Sequence, residues 1–296
     1  MTVGIAALCK APEGGLMVIG AADRMLSTPD TEYEPAERKL WSLSDSIAAV
    51  GSGDTELIAE LLTPVKEIVQ ERGPKQQGGW LVESVARVYQ ARYKTVKAAR
   101  SESELLTPLG LTWKTFISRQ KELNDTVAVS AATELWKFKL PGVEILFAGT
   151  DRKGTHIFYS DDGALAWRDQ VGFAAVGVGA QHASSQLMFR RHSKYASAAD
   201  TLFSVYSAKK RAEVAPGVGK ATDMFVIGPQ LGSFYHVPEP ILDQLEVIYQ
   251  GAQKKGERAV ERSRQKLEEL YAKLEKDAEQ TKPQASAGPE QVVGES

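Results

Sequence analysis

Two apolar runs near the start of the chain, residues 2–8 and 16–22, constrain the fold more than any other stretch. In the first, Val3, Ile5 and Ala7 alternate with Gly4, Ala6 and Leu8, so neither face of an extended strand is polar. A strand wetted on one side would alternate apolar with polar; one without that alternation belongs in a sheet covered on both sides. Between the runs, Lys10-Ala11-Pro12-Glu13-Gly14-Gly15 carries the proline and glycines of a hairpin turn. The chain therefore opens with a buried strand pair, which needs other layers against each of its faces.

Those layers are legible further on. Residues 39–43 and 46–50 read as a second strand pair turned by Ser44-Asp45. At Asp54 the period changes: Leu57, Ile58, Leu61, Leu62, Val65, Ile68 and Val69 recur at three and four residues. That spacing predicts a helix capped by Asp54 and stopped at Gly73-Pro74. A second helix is expected over 80–99, with Val82, Val85, Ala86, Val88 and Tyr89 as its inner face. Residues 101–141 read as a mostly helical insertion of poor periodicity. Strands follow at 143–149, 155–159, 164–167 and 172–178, then helices at 182–193 and 197–213 and a closing hairpin at 223–228 and 233–236. Strands, helix pair, strands, helix pair, strands is the order of an α+β fold with two sheets face to face and helices outside both, a four-layer αββα sandwich.

After Pro240 the composition shifts. Leu242, Leu245, Tyr249, Ala252, Leu267 and Leu270 recur at mostly helical spacing in a charged background, which predicts a long C-terminal helix over 240–279. Laid on its own domain it would be a solvated helix; packed on a neighbouring subunit it would be a partial coiled coil. Residues 280–296, rich in Pro, Gly, Ser, Gln and Glu, are expected to be a disordered tail. The organisation is one domain over 1–239, the helix, and the tail.

Charge excludes some functions. A formal net charge of -2 over 296 residues offers no bulk attraction for nucleic acid or anionic membrane. The basic run Lys254-Lys255-Gly256-Glu257-Arg258 is interleaved with acid, as a solvated helix face is. No apolar stretch approaches the roughly 20 residues of a membrane span, and no secretory leader is visible. Cys9, the single cysteine, sits inside the first apolar run as a small hydrophobe, which fits a reducing, cytoplasmic setting. His156, His182, His192 and His236 lack metal-ligand spacing, and no phosphate-binding loop is present, so neither metal nor cofactor is expected.

The chemistry-bearing residues fall in an ordered set: Thr2-Val3-Gly4-Ile5, Gly20-Ala21-Ala22-Asp23-Arg24, Lys39-Leu40 and Val50-Gly51-Ser52-Gly53-Asp54. Phe147-Ala148-Gly149-Thr150-Asp151, Ala175-Val176-Gly177-Val178-Gly179 and Ala221-Thr222-Asp223-Met224 continue it. This succession resembles the proteasome β-subunit family and its bacterial relatives, over residues 2–236. The step of sixteen positions from Asp23 to Lys39 matches that family's spacing from acid to lysine. The resemblance implies the sandwich of N-terminal nucleophile hydrolases, with Thr2 as catalytic threonine, Asp23 as acid, Lys39 as lysine and the Gly51 amide as oxyanion donor. It also implies a peptide or unfolded polypeptide substrate, a homo-oligomeric ring and a separate ATPase for any energy-driven unfolding.

Physical chemistry supports that trio apart from the family. An α-amine titrates at about 7.7–8.0, so a modest depression frees it to accept the proton of its own threonine hydroxyl. A lysine ammonium nearby lowers that amine's proton affinity, and an aspartate holds the lysine charged and in place. The amine is available only after Met1 is removed. The sequence departs from the family at two places: Val178 stands where a serine is usual between two glycines, and Pro216-Gly217-Val218-Gly219 supplies no hydroxyl. Glu213 is the expected stand-in for the acid at the second. The competing expectation is a non-catalytic assembly subunit whose C-terminal helix is an interaction element.

Overall fold

The first two runs pair as antiparallel strands β1 (Gly4–Lys10) and β2 (Leu16–Asp23), in register from Gly4 opposite Ala22 to Lys10 opposite Leu16. The computed structural model describes residues 2–27, 31–35, 38–73 and 79–280; Met1 and all of the tail expected over 280–296 except Gln280 lie outside them. After β2 a short pair, β3 (Leu26–Ser27) and β4 (Glu32–Tyr33), precedes β5 (Leu40–Ser44) and β6 (Ile47–Gly53). Helices α1 (Thr55–Arg72) and α2 (Val82–Ser101) follow. Beyond them come α3 (Trp113–Ser118) and α4 (Asp125–Lys137). Strands β7 (Val143–Asp151), β8 (Gly154–Asp161), β9 (Ala164–Trp167) and β10 (Phe173–Val176) lead to helices α5 (Ala180–Phe189) and α6 (Ala198–Ala212). Strands β11 (Thr222–Ile227) and β12 (Phe234–His236) and helix α7 (Glu239–Gln280) complete the order.

The strands form two antiparallel five-stranded sheets, ordered β10-β1-β2-β11-β12 and β5-β6-β7-β8-β9. One buried cluster draws on both: Ala6, Leu8 and Val18 from the first sheet meet Val50, Leu146 and Ile157 from the second. The alternate residues of the second sheet, among them Ile47, Ala49, Ile145 and Phe147, join the apolar stripe of α1 and α2 in another cluster. Tyr89 of α2 packs its ring 5.3 Å from that of Phe147. Helices α5 and α6 lie against β1 and β2. Both faces of β1 are thus covered, which is why its sequence has no polar alternation: Gly4 to Cys9 are all buried. The α+β class and both sheets agree with the sequence reading.

Local signals place the helices where they matter. The Asp54 side chain accepts the Leu57 amide at 2.7 Å and starts α1 directly after β6. Ser197 accepts the Asp200 amide at 3.1 Å and starts α6. Three expectations needed adjustment. The helix expected over 182–193 begins earlier and ends at Phe189, because Arg191 takes a left-handed φ of 54°. The β3–β4 pair was not foreseen, since two-residue ladders carry no period. The insertion is helical, but its helices are short and share only a small cluster of Leu106, Phe116 and Ala131, so no long apolar stripe was there to read.

The chain divides into two compact units, Met1–Leu245 and Glu246–Ser296. In the second, Val260, Leu267, Leu270, Tyr271 and Leu274 are exposed along α7. Among the described residues no helix is long and apolar enough to cross a membrane.

Candidate active site

The ends of β1, β2 and β6 and the start of β5 meet around Asp23. Its carboxylate has no exposure to solvent. A buried carboxylate is stable only if its oxygens are well satisfied. Here Val3 N donates to Oδ1 at 3.0 Å, and Met25 N and Gly219 N each donate to Oδ2 at 3.0 Å. Thr2 Oγ1 donates to Oδ1 as well. Lys39 Nζ lies 3.3 and 3.4 Å from the two oxygens, donates to Thr2 Oγ1, and is held from the other side by the Met25 carbonyl.

Thr2, Asp23 and Lys39, chosen from the sequence as one group, therefore form one hydrogen-bonded cluster. The Lys39 ammonium, expected to tune the terminal amine of a processed Thr2, donates to the threonine hydroxyl. Burial pushes Lys39 below the usual lysine range, against the opposing pull of Asp23. An ammonium donating to a hydroxyl lowers the cost of negative charge on that oxygen.

Thr2 and Lys39 open onto a cavity of about 440 Å³. Gly51, Ser52 and Gly53 form one wall, so the expected oxyanion donor borders the same space as the hydroxyl. Trp41 and Ile58 add apolar surface, and Arg24 and Arg38 add guanidinium groups. Both arginines lean on Asp223 of β11: Arg24 reaches it at 2.6 and 2.9 Å, Arg38 at 3.2 Å. The register that sets Thr222 opposite Asp23 brings Asp223 to this end of the sheet. Asp223 in turn lifts the Arg24 pKa further.

The two departures resolve differently. Val178 is 49% exposed and brings no hydroxyl to Thr2. Its neighbour Gly177 has φ of 92°, and a Cβ there would run into the Thr2 carbonyl and lie 2.7 Å from Ser52 Oγ. The Gly177 amide donates to Glu144 Oε2 at 2.6 Å, and the Gly179 amide donates to the Thr2 carbonyl at 3.3 Å. This turn therefore fixes the Thr2 backbone rather than its amine. Glu213 pairs with Lys209 and Lys210 at 2.6 and 3.1 Å. The segment after α6 contributes a backbone donor instead, the Gly219 amide to Asp23.

Sequence reasoning missed Met25, Gly219 and Lys209. The first two act through backbone atoms, which any residue supplies, so no side-chain pattern could have found them. Lys209 had one available signal: it lies on the inner stripe of α6 beside Val205, Ala208 and Ala212. No protein-family model matches this chain, and no curated protein matches it.

Proposed function

We propose that the chain is a threonine-type peptidase of the proteasome-like N-terminal nucleophile hydrolases, built as a four-layer αββα sandwich. The observation that carries this reading is the Thr2 hydroxyl held between the Asp23 carboxylate and the Lys39 ammonium on the wall of an open cavity. Once Met1 is removed, Thr2 Oγ1 attacks the carbonyl carbon of a peptide and gives its proton to the Thr2 amine. The C–N bond breaks as that proton passes to the leaving nitrogen, and water then hydrolyses the Thr2 ester. Lys39 lowers the cost of negative charge on Oγ1, Asp23 keeps Lys39 in register, and the Gly51 amide stabilises the oxyanion. The substrate class is unfolded polypeptide, and the working form is a cytoplasmic homo-oligomeric ring served by a separate ATPase.

A non-catalytic assembly subunit is the second reading. The exposed row Leu267, Leu270 and Leu274 on α7, together with Val178 in place of a hydroxyl, favours it.

Intact-mass measurement of the native protein, with and without an electrophile that traps terminal threonines, separates the two. Loss of Met1 and a single adduct on Thr2 is expected; retained Met1 with no adduct overturns the peptidase reading.

A further inference from the structure

Lys209 is the only lysine with no solvent exposure among the described residues. Lysine is almost never fully buried unless it is paired, and its ammonium has three protons to place. All three have partners: Glu213 Oε1 at 2.6 Å, the Gly219 carbonyl at 2.8 Å and the Lys220 carbonyl at 2.7 Å. Two of the three acceptors are therefore consecutive carbonyls of the segment joining α6 to β11. Burial draws Lys209 below its ordinary range, and Glu213 and Asp23 oppose that while Lys210 adds to it.

That segment reaches the proposed active site. The Gly219 amide donates to Asp23 Oδ2 at 3.0 Å, beside the Met25 amide on the same oxygen. A side chain at position 219 would meet Met25 and Glu34, since its Cβ would lie 3.0 Å from Met25 N. Glu34 also accepts the Ala221 amide at 3.0 Å. Met25 is the residue whose carbonyl holds Lys39. The segment thus reaches the acid directly and the lysine through Met25, and Lys209 holds it from beneath.

We infer that Lys209 is a positioning residue for the Thr2 site: by binding the Gly219 and Lys220 carbonyls it aims the Gly219 amide at Asp23, and so sets the orientation of the acid beneath Thr2. The kinetic part of this inference rests on the peptidase reading. Its structural part does not. Asp23 serves both Thr2 Oγ1 and Lys39, so a shift of its carboxylate moves the nucleophile as well. Loss of the Lys209 cation also makes protonation of the freed Thr2 amine easier.

The test compares Lys209→Met with the parent protein in two readouts. The first is amide exchange at Gly219, followed by NMR, which needs no activity. The second is the pH profile of Thr2 acylation by the trapping electrophile. In folded Lys209→Met, Gly219 exchange rises at least about tenfold relative to β1 amides. Acylation slows by about tenfold or more, and its acid limb moves to higher pH, with saturation by the electrophile little changed. Unchanged Gly219 exchange together with an unchanged pH profile overturns the inference. Should Lys209→Met not fold, Glu213→Gln carries the test through the exchange readout: a smaller rise in Gly219 exchange supports the inference, and none overturns it. If parent Thr2 is never acylated while Gly219 protection falls in Lys209→Met, the peptidase reading fails and the positioning of Gly219 stands.

Discussion

Asp23 and Asp151 are both buried acids at strand ends, and both accept backbone amides, yet only one belongs to an arrangement that can do chemistry. Asp151 ends β7 and accepts the Val82 amide at 2.8 Å at the start of α2, and the Lys153 amide at 2.7 Å. His156 Nε2 stands 3.7 Å away, and His156 Nδ1 lies 2.7 Å from Asp169. Each of those contacts fixes a helix start or a turn, and an anion at a helix N-terminus is stabilising in its own right. Asp23 likewise takes three amides, but it also takes a threonine hydroxyl and a lysine that border a cavity. The difference teaches that burial and amide satisfaction mark a carboxylate as structurally committed. A small nucleophile and an open volume on the same oxygen are what suggest a reaction.

That contrast can be broken by mutation. Thr2→Ala should have the largest effect, removing the electrophile adduct and lowering peptide turnover by about 10³-fold or more, while costing only about 1 kcal/mol of stability. Adduct formation on another residue, or turnover retained after purification from contaminating proteases, would dissolve the distinction drawn for Asp23. Lys39→Met comes next. Turnover should fall by about 100-fold, and loss of the cation beside buried Asp23 should lower stability by about 1–3 kcal/mol in denaturant titration. A fully stable variant would mean that the ammonium was not compensating the acid.

Gly177→Ala probes the same end through the backbone. Its left-handed φ and the Thr2 carbonyl leave no room for a Cβ, so destabilisation of about 1–3 kcal/mol is expected along with slowed acylation of Thr2. Wild-type kinetics in that variant would show the turn to be irrelevant to the nucleophile.

The smallest effect belongs to the Asp151 end and has a pH signature. Asp169 raises His156 above its ordinary pKa, against the opposing effect of burial. A raised histidine contributes stability that is fully present below its unfolded pKa of about 6.5 and is lost as pH rises through the higher folded value. The stability difference between the parent and His156→Ala should therefore be larger at about pH 5.5 than at pH 9, and stay below about 1 kcal/mol because the ring is partly exposed. Thr2 acylation should not change. A pH-independent difference would remove the ionic part of this cluster.

Much of this was legible in advance, for reasons particular residues make plain. The unalternating run around Ile5 encodes a strand covered twice, and Asp54 ahead of Leu57 and Leu61 encodes the start of α1, because burial and capping act over a few residues. Asp23 and Lys39 were readable as a pair through the family resemblance that their motifs carry. Their shared hold on the Thr2 hydroxyl was not, since it depends on how β1, β2 and β5 converge in space. Glu213 shows the opposite case: its charge suggested a place at the site, and packing gave it to Lys209 and Lys210.

By itself, then, the amino-acid sequence determined the main strands and helices and the faces they bury, because hydrophobic periodicity and end signals are local. Only the tertiary structure decided that Asp23 would collect amides from residues 3, 25 and 219, and that Lys209 would lie buried under the last of them. Backbone donors carry no residue identity, and a contact between residues nearly two hundred positions apart is made by packing, which no local pattern records.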